Sequence, residues 1–157
     1  MKLITAPSEL PAIDNESVVL FLAGGCNVPW REELVSHMFD LDKLLILDPT
    51  VDDWKSLGEE DIDNEQWVKQ TDWEHNGLIR SDIRVFHFHP PSMCPISLLE
   101  LGCFKVGGDK VTIVHADSGY EKASYVKHIA RRYGLLEAET IKEIAELIKI
   151  KYYELSN

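Results

Sequence analysis

Glu100 stands alone among leucines in Pro95-Ile-Ser-Leu-Leu-Glu-Leu-Gly102, with Leu98, Leu99 and Leu101 around it. A carboxylate so placed either points to solvent or is held in a dry site, and composition does not choose between them. Glu74 shares a helical face with Trp67, Thr71 and Leu78, whose positions repeat at i+4, i+7 and i+11. Two carboxylates at the ends of adjacent elements could act as nucleophile and general acid in cleaving a glycosidic bond. The plainer reading pairs Glu74 with Arg80 or Lys69 on a wet surface.

Gly24-Gly25-Cys26-Asn27 follows an apolar run and leads into a helix. Glycines let backbone approach a ligand closely, and a helix N-terminus favours anionic groups. The pattern is neither Gly-x-Gly-x-x-Gly nor a P-loop, which argues against a dinucleotide or ATP. A tight strand-to-helix turn explains it equally well. His87 and His89 are two apart on an expected strand and so share a face. A His-x-His pair can ligate a metal, but no third ligand is apparent, and His89 at the strand end could instead line a pocket. His115 reads as an ordinary hydrogen-bonded histidine. Of the four tryptophans, Trp30 and Trp54 lie near segments that follow strands, and one of them is expected to stack on a base. No Gly-x-Ser-x-Gly, His-Glu-x-x-His or kinase signature is present.

These residues need a scaffold. Strands are expected at 17–23, 44–47, 83–89 and 111–115, each a short apolar run rich in branched residues and bounded by Gly, Pro or Asp. Helices are expected from Pro29 to about 39, at 64–80, 97–104 and 121–133, and at 141–153. Gly134 stops the fourth, and Thr140 with Glu143 opens the fifth as a capping box. Residues 50–63 read as an acidic loop. Alternating strands and helices imply a parallel sheet covered on both faces, with ligands at the carboxyl ends of the strands. One domain over 1–157 is expected, with 1–16 an irregular lead-in.

Hydrophobic residues make up 45% and charged residues 27% of the 157, which is ordinary globular composition. Sixteen Lys and Arg against 27 Asp and Glu give a net charge of −11. So acidic a chain lacks the footprint of a nucleic-acid binder and is not drawn to an anionic membrane. It has no run long enough to span a bilayer and no expected signal peptide. Cys26, Cys94 and Cys103 form no Cys-x-x-Cys pair, so neither a structural zinc nor a disulfide framework is expected, and the cytoplasm is the expected compartment.

Together these segments resemble the nucleoside 2-deoxyribosyltransferase-like proteins. The resemblance runs through Val19-Leu-Phe-Leu-Ala-Gly-Gly25 with Trp30-Arg31, then Asp72-Trp-Glu-His-Asn-Gly-Leu-Ile-Arg-Ser-Asp-Ile-Arg-Val-Phe86, then Ile96-Ser-Leu-Leu-Glu-Leu-Gly102, over about 18–135. It implies a flavodoxin-like or Rossmann-like α/β three-layer sandwich with a mostly parallel sheet. It implies transfer of 2-deoxyribose between bases or hydrolysis of the N-glycosidic bond, with no cofactor and no metal. Glu100 matches the nucleophile and Glu74 the acidic residue that handles the base's proton, a position often Asp. Asp82 matches a structural Asp. Phe21 falls near a position that is Tyr in some members, whose hydroxyl orients the nucleophile. Ser92 or Ser97 would contact sugar or a 5′-phosphate. Gly24, Gly25, Trp30, Trp54 and His89 complete the expected substrate-binding set. The partner is a small nucleoside or nucleotide, and a homo-oligomer is implied. The alternatives are an N-glycosidase of deoxynucleoside monophosphates or of NAD, and a non-catalytic nucleotide-binding module.

Overall fold

The computed structural model describes residues 1–12, 16–104 and 110–156. Its strands are β1 (Lys2–Thr5), β2 (Val18–Gly24), β3 (Leu44–Asp48), β4 (Ile83–Phe88), β5 (Val111–Ala116) and β6 (Leu136–Ala138). Its helices are α1 (Trp30–Ser36), α2 (Glu65–Arg80), α3 (Pro95–Phe104), α4 (Ala123–Tyr133) and α5 (Ile141–Leu155), with one 3₁₀ turn at Trp54–Leu57. The strands form one sheet in the order β1-β3-β2-β4-β5-β6, and every pairing is parallel. Leaving aside β1, this is the flavodoxin-like order, in a three-layer α/β arrangement.

Every residue of β3 and β4, and all of β2 up to Gly24, is buried, as continuous apolar runs between two helical layers require. Alternate residues feed different cores. Val19, Phe21 and Ala23 pack with Trp73, Leu101 and Val126 from α2, α3 and α4. Val18, Leu20 and Leu22 pack with Trp30 and Leu34 of α1 and with Ile144 and Ile148 of α5. Each fully buried large aliphatic side chain contributes about 1.5–3 kcal/mol, so this double core sets the position of both helix layers.

The caps are local chemistry. Asn64 Oδ1 accepts from Gln66 N at 3.1 Å and opens α2. Thr140 Oγ1 accepts from Glu143 N at 3.1 Å, while Glu143 Oε2 accepts from Glu139 N at 2.7 Å, so the expected box closes one residue early. Gly134 ends α4 in the left-handed region at φ 67°.

Two strands were not anticipated. The opening is not wholly irregular: Lys2–Thr5 pairs with Leu45–Asp48 at the sheet edge. Its mostly exposed residues carry no apolar run to betray it. Leu136–Ala138 is only three residues long, too short for periodicity to show. The outer face of α5 is also divided: Ile148 and Tyr152 are buried in the core, whereas Ile150 and Tyr153 remain more than half exposed at 53% and 54%. Among the described residues no helix is long and apolar enough to cross a membrane.

Candidate active site

The strand order reverses between β2 and β4, whose carboxyl ends open a crevice there. Gly24 makes the turn out of β2 at φ 138°, and a Cβ on it would lie 2.3 Å from the His87 carbonyl oxygen. No other residue fits this position. Two neighbouring side chains of α1 hold the turn from below. Trp30 Nε1 donates to the Gly25 carbonyl at 2.9 Å. Arg31 Nη1 donates to the same oxygen at 3.0 Å, and Nη2 to Gly24 O at 2.9 Å and Leu22 O at 3.1 Å. Arg31 Nε lies 3.3 Å from Asp48 Oδ1, with only 6% and 11% of the two side chains exposed. A buried guanidinium needs such saturation, because an unpaired buried charge is costly.

Above the turn lies a cavity of about 400 Å³. Phe21 contributes from the sheet, Glu74 and Gln70 from α2, Glu100 and Ser97 from α3, and Trp54 from the 3₁₀ turn. Glu74 and Glu100 therefore share one chamber. Burial raises the Glu74 carboxyl above its ordinary range, opposed by a hydrogen bond from Gln70 and by the Arg31 charge. Burial also pushes Glu100 up to about 8, with the nearby Glu74 charge adding to it and Arg31 opposing. Two carboxyls in one partly dry chamber resist carrying two negative charges, so a proton is retained between them near neutral pH. Such a pair can both attack an electrophilic carbon and move a proton.

Gly24, Gly25, Trp54, Ser92 and Ser97 line this cavity with Phe21 and the two glutamates. Two expected contact residues do not. Trp30 is 3% exposed and stacks on His87 at 4.5 Å between ring centroids, beneath the turn rather than facing the chamber. Its indole is occupied as a core ring with its N–H satisfied. Trp54, 44% exposed, is the tryptophan of that pair that reaches the cavity. His89 is 4% exposed, and its Nδ1 lies 2.9 Å from Pro90 O. It packs against the turn, where a Cβ on Gly25 would lie 2.8 Å from its Nε2.

The histidines form a buried column. His87 stacks on His115 at 4.6 Å and 23°, and His89 lies 5.2 Å from His87. Stacked rings keep their nitrogens from converging on a point. Among the described residues no group of three His, Cys, Asp or Glu is placed to hold a metal ion. Burial first, then the neighbouring His115 and His89, lowers His87 to about 3. His115 Nε2 lies 3.2 Å from Glu139 O. Asp82 ties strands together: Oδ2 accepts from Val19 N at 3.0 Å, and Oδ1 pairs with Lys110 at 2.8 Å.

Gln70 and Arg31 escape motif reading as functional groups. Gln70 stands one turn before Glu74, an i, i+4 pair able to hydrogen-bond on a helix face, and that spacing is the available signal. Arg31 enters the linear reading only beside Trp30 in the resemblance, and its grip on the turn shows once the turn is built.

The family model described as nucleoside 2-deoxyribosyltransferase like matches residues 17–120, a span that contains every cavity residue named above. No protein of curated function matches the chain.

Proposed function

Because the chain belongs to the nucleoside 2-deoxyribosyltransferase-like family, we propose that it cleaves the N-glycosidic bond of a 2-deoxynucleoside through a carboxylate nucleophile and passes the sugar to a second base. The observation that carries this reading is the meeting of Glu74 and Glu100 in one cavity at the strand-order reversal.

In the proposed reaction a Glu100 oxygen attacks the anomeric carbon. The carbon–nitrogen bond breaks, its electron pair stays on the departing base, and the base takes a proton from Glu74. An acceptor base then attacks the glycosyl ester, Glu100 leaves as carboxylate, and Glu74 takes back a proton. The reacting arrangement needs the charge on Glu100 and the shared proton on Glu74. Moving the proton between them leaves the pair's net charge unchanged. Positive charge developing at the anomeric carbon stabilises the arrangement with Glu100 ionised. Trp54 would stack on the base, and Ser92 or Ser97 would meet the sugar or a 5′-phosphate. Phe21 brings no hydroxyl to Glu100, so that contact is missing here. No cofactor enters these steps.

Incubation with deoxynucleosides, with and without a free acceptor base, tests the proposal. Base exchange supports transfer. Free base alone replaces transfer by hydrolysis, and the same assay on deoxynucleoside monophosphates and NAD identifies an N-glycosidase of those compounds. Binding without turnover would leave a nucleotide-binding module.

We also propose a cytoplasmic homo-oligomer, associating through the exposed Ile150 and Tyr153 of α5. A monomeric mass in light scattering at micromolar concentration removes the assembly.

A further inference from the structure

We propose that Gln70 is the positioning residue of the proton-transferring carboxyl: its amide claims Glu74 Oε1 in both protonation states and leaves Oε2 as the oxygen that exchanges a proton with the base. The inference rests on the role of Glu74 proposed above.

Gln70 is 3% exposed, on the turn of α2 directly before Glu74. Its Nε2 donates to Pro49 O at 2.9 Å and to Glu74 Oε1 at 2.7 Å. Both amide protons are thereby used. Its own Oε1 is buried and accepts no hydrogen bond among the described residues. A buried acceptor without a partner is unfavourable and calls for a reason. The reason lies in the two groups facing the NH2. Rotating the amide by half a turn would set its oxygen against Pro49 O and Glu74 Oε1. Pro49 O is an acceptor in every state, so the amide stays as it is and the orphaned oxygen is the consequence.

This fixed donor assigns the two oxygens of Glu74. When Glu74 is ionised, Oε1 receives the amide N–H. When it is protonated, Oε1 is still held as the carbonyl acceptor, and the proton must sit on Oε2. Among the described residues no hydrogen bond engages Oε2, so it is left for the substrate. The link to Pro49, just past β3, ties the carboxyl to the sheet as well as to its helix. A loosely held acid would lose the near-attack geometry on which proton transfer depends.

The charged and titratable groups that act on this carboxyl or share its cavity are Arg31 from α1, Glu100 from α3, Cys94 from the residue before α3, Cys26 from the turn after β2 and Glu60 from the loop before α2. None of them can replace the amide donor without moving.

The test compares wild type with Gln70→Leu, and with Gln70→Met should the leucine variant not fold. Two quantities are read. One is the titration of the Glu74 carboxyl by carbon-13 NMR in the empty protein, assigned by its loss in Glu74→Gln. The other is kcat and KM for base exchange across pH. Removing the amide is expected to move the Glu74 midpoint upward, because a hydrogen bond to the ionised form is lost. It is also expected to lower kcat by about tenfold or more with KM little changed, since general acid–base catalysis is worth about 10²–10⁴, and to shift the matching limb of the pH profile upward. A folded variant with an unchanged Glu74 midpoint, or with wild-type kcat, overturns the inference. If wild type turns over no nucleoside, the reading of the site falls instead, and the NMR midpoint alone then decides whether Gln70 controls Glu74.

Discussion

Gly77 of α2 lies so close to Phe21 of β2 that a Cβ on it would come within 2.6 Å of the phenyl ring. Gly77 is three residues past Glu74, and Phe21 lines the cavity. The contact therefore sets how near the helix carrying Glu74 sits to the sheet. In Gly77→Ala, helix propensity favours the variant by about 0.5–1 kcal/mol, while overpacking costs about 1–3 kcal/mol. Packing wins, because the ring is 1% exposed and has little room to retreat. Denaturant unfolding should show net destabilisation, largely relieved in the double variant with Phe21→Leu. A more stable Gly77→Ala protein would show that α2 can move away without loss.

Glu100→Ala should abolish turnover and keep the fold. Loss of a covalent nucleophile removes several kcal/mol of transition-state stabilisation, about 10³-fold or more in rate. Retained activity in the folded variant sinks the proposed mechanism.

Glu100→Gln has a further, signed consequence. A carboxyl raised to about 8 in the folded protein binds a proton that the unfolded chain releases near 4.5. Its contribution to stability is whole below the unfolded value and is lost as pH rises through about 8. The amide cannot ionise, so Glu100→Gln should gain stability over wild type as pH rises from 5 to 9, by roughly 1 kcal/mol or more after solvent screening. Parallel stability curves for the two proteins would contradict this.

His87 gives the opposite sign. It is neutral and buried, lowered to about 3 from 6.5. Its contribution is whole above the unfolded value and drains away as pH falls from about 6.5 toward 3, at up to ~1.4 kcal/mol per pH unit. His87→Phe keeps an aromatic ring between Trp30 and His115 and should flatten that acid limb. Thermal unfolding at pH 7 and pH 4.5 would measure it. An equally steep loss in the variant would place the acid sensitivity elsewhere.

Trp54→Ala should weaken substrate without unfolding the protein. The ring is 44% exposed at the cavity, so little core is lost. Stacking on a base is worth about 1–3 kcal/mol, which predicts a rise in nucleoside Kd of about 5- to 150-fold and a stability change within about 0.5 kcal/mol. Unchanged affinity would mean that the base lies elsewhere in the cavity.

The parallel α/β scaffold was legible in the residue order because it is written locally. β2, β3, β4 and β5 are contiguous apolar runs, and Asn64, Thr140 and Gly134 mark helix ends through bonds to residues at most four away. Glu74 and Glu100 could be picked out by residue type and by the segments they follow. Their meeting could not, because 26 positions and the whole of β4 separate them, and only the register of β2 beside β4 brings α2 and α3 to one cavity. Trp30 and Trp54 are equal candidates in a linear reading. Tertiary packing decides between them, burying one ring against His87 and leaving the other at the chamber. β1 and β6 are too exposed or too short to show a pattern, and exist because β3 and β5 offer open edges. The same holds for the protonation of the site. Glutamate at positions 74 and 100 is a property of the sequence, but the carboxyls are raised by burial and, at Glu100, by the charge of Glu74, against the opposing pull of Arg31 on both and of Gln70 on Glu74, and these surroundings exist only once the chain is folded.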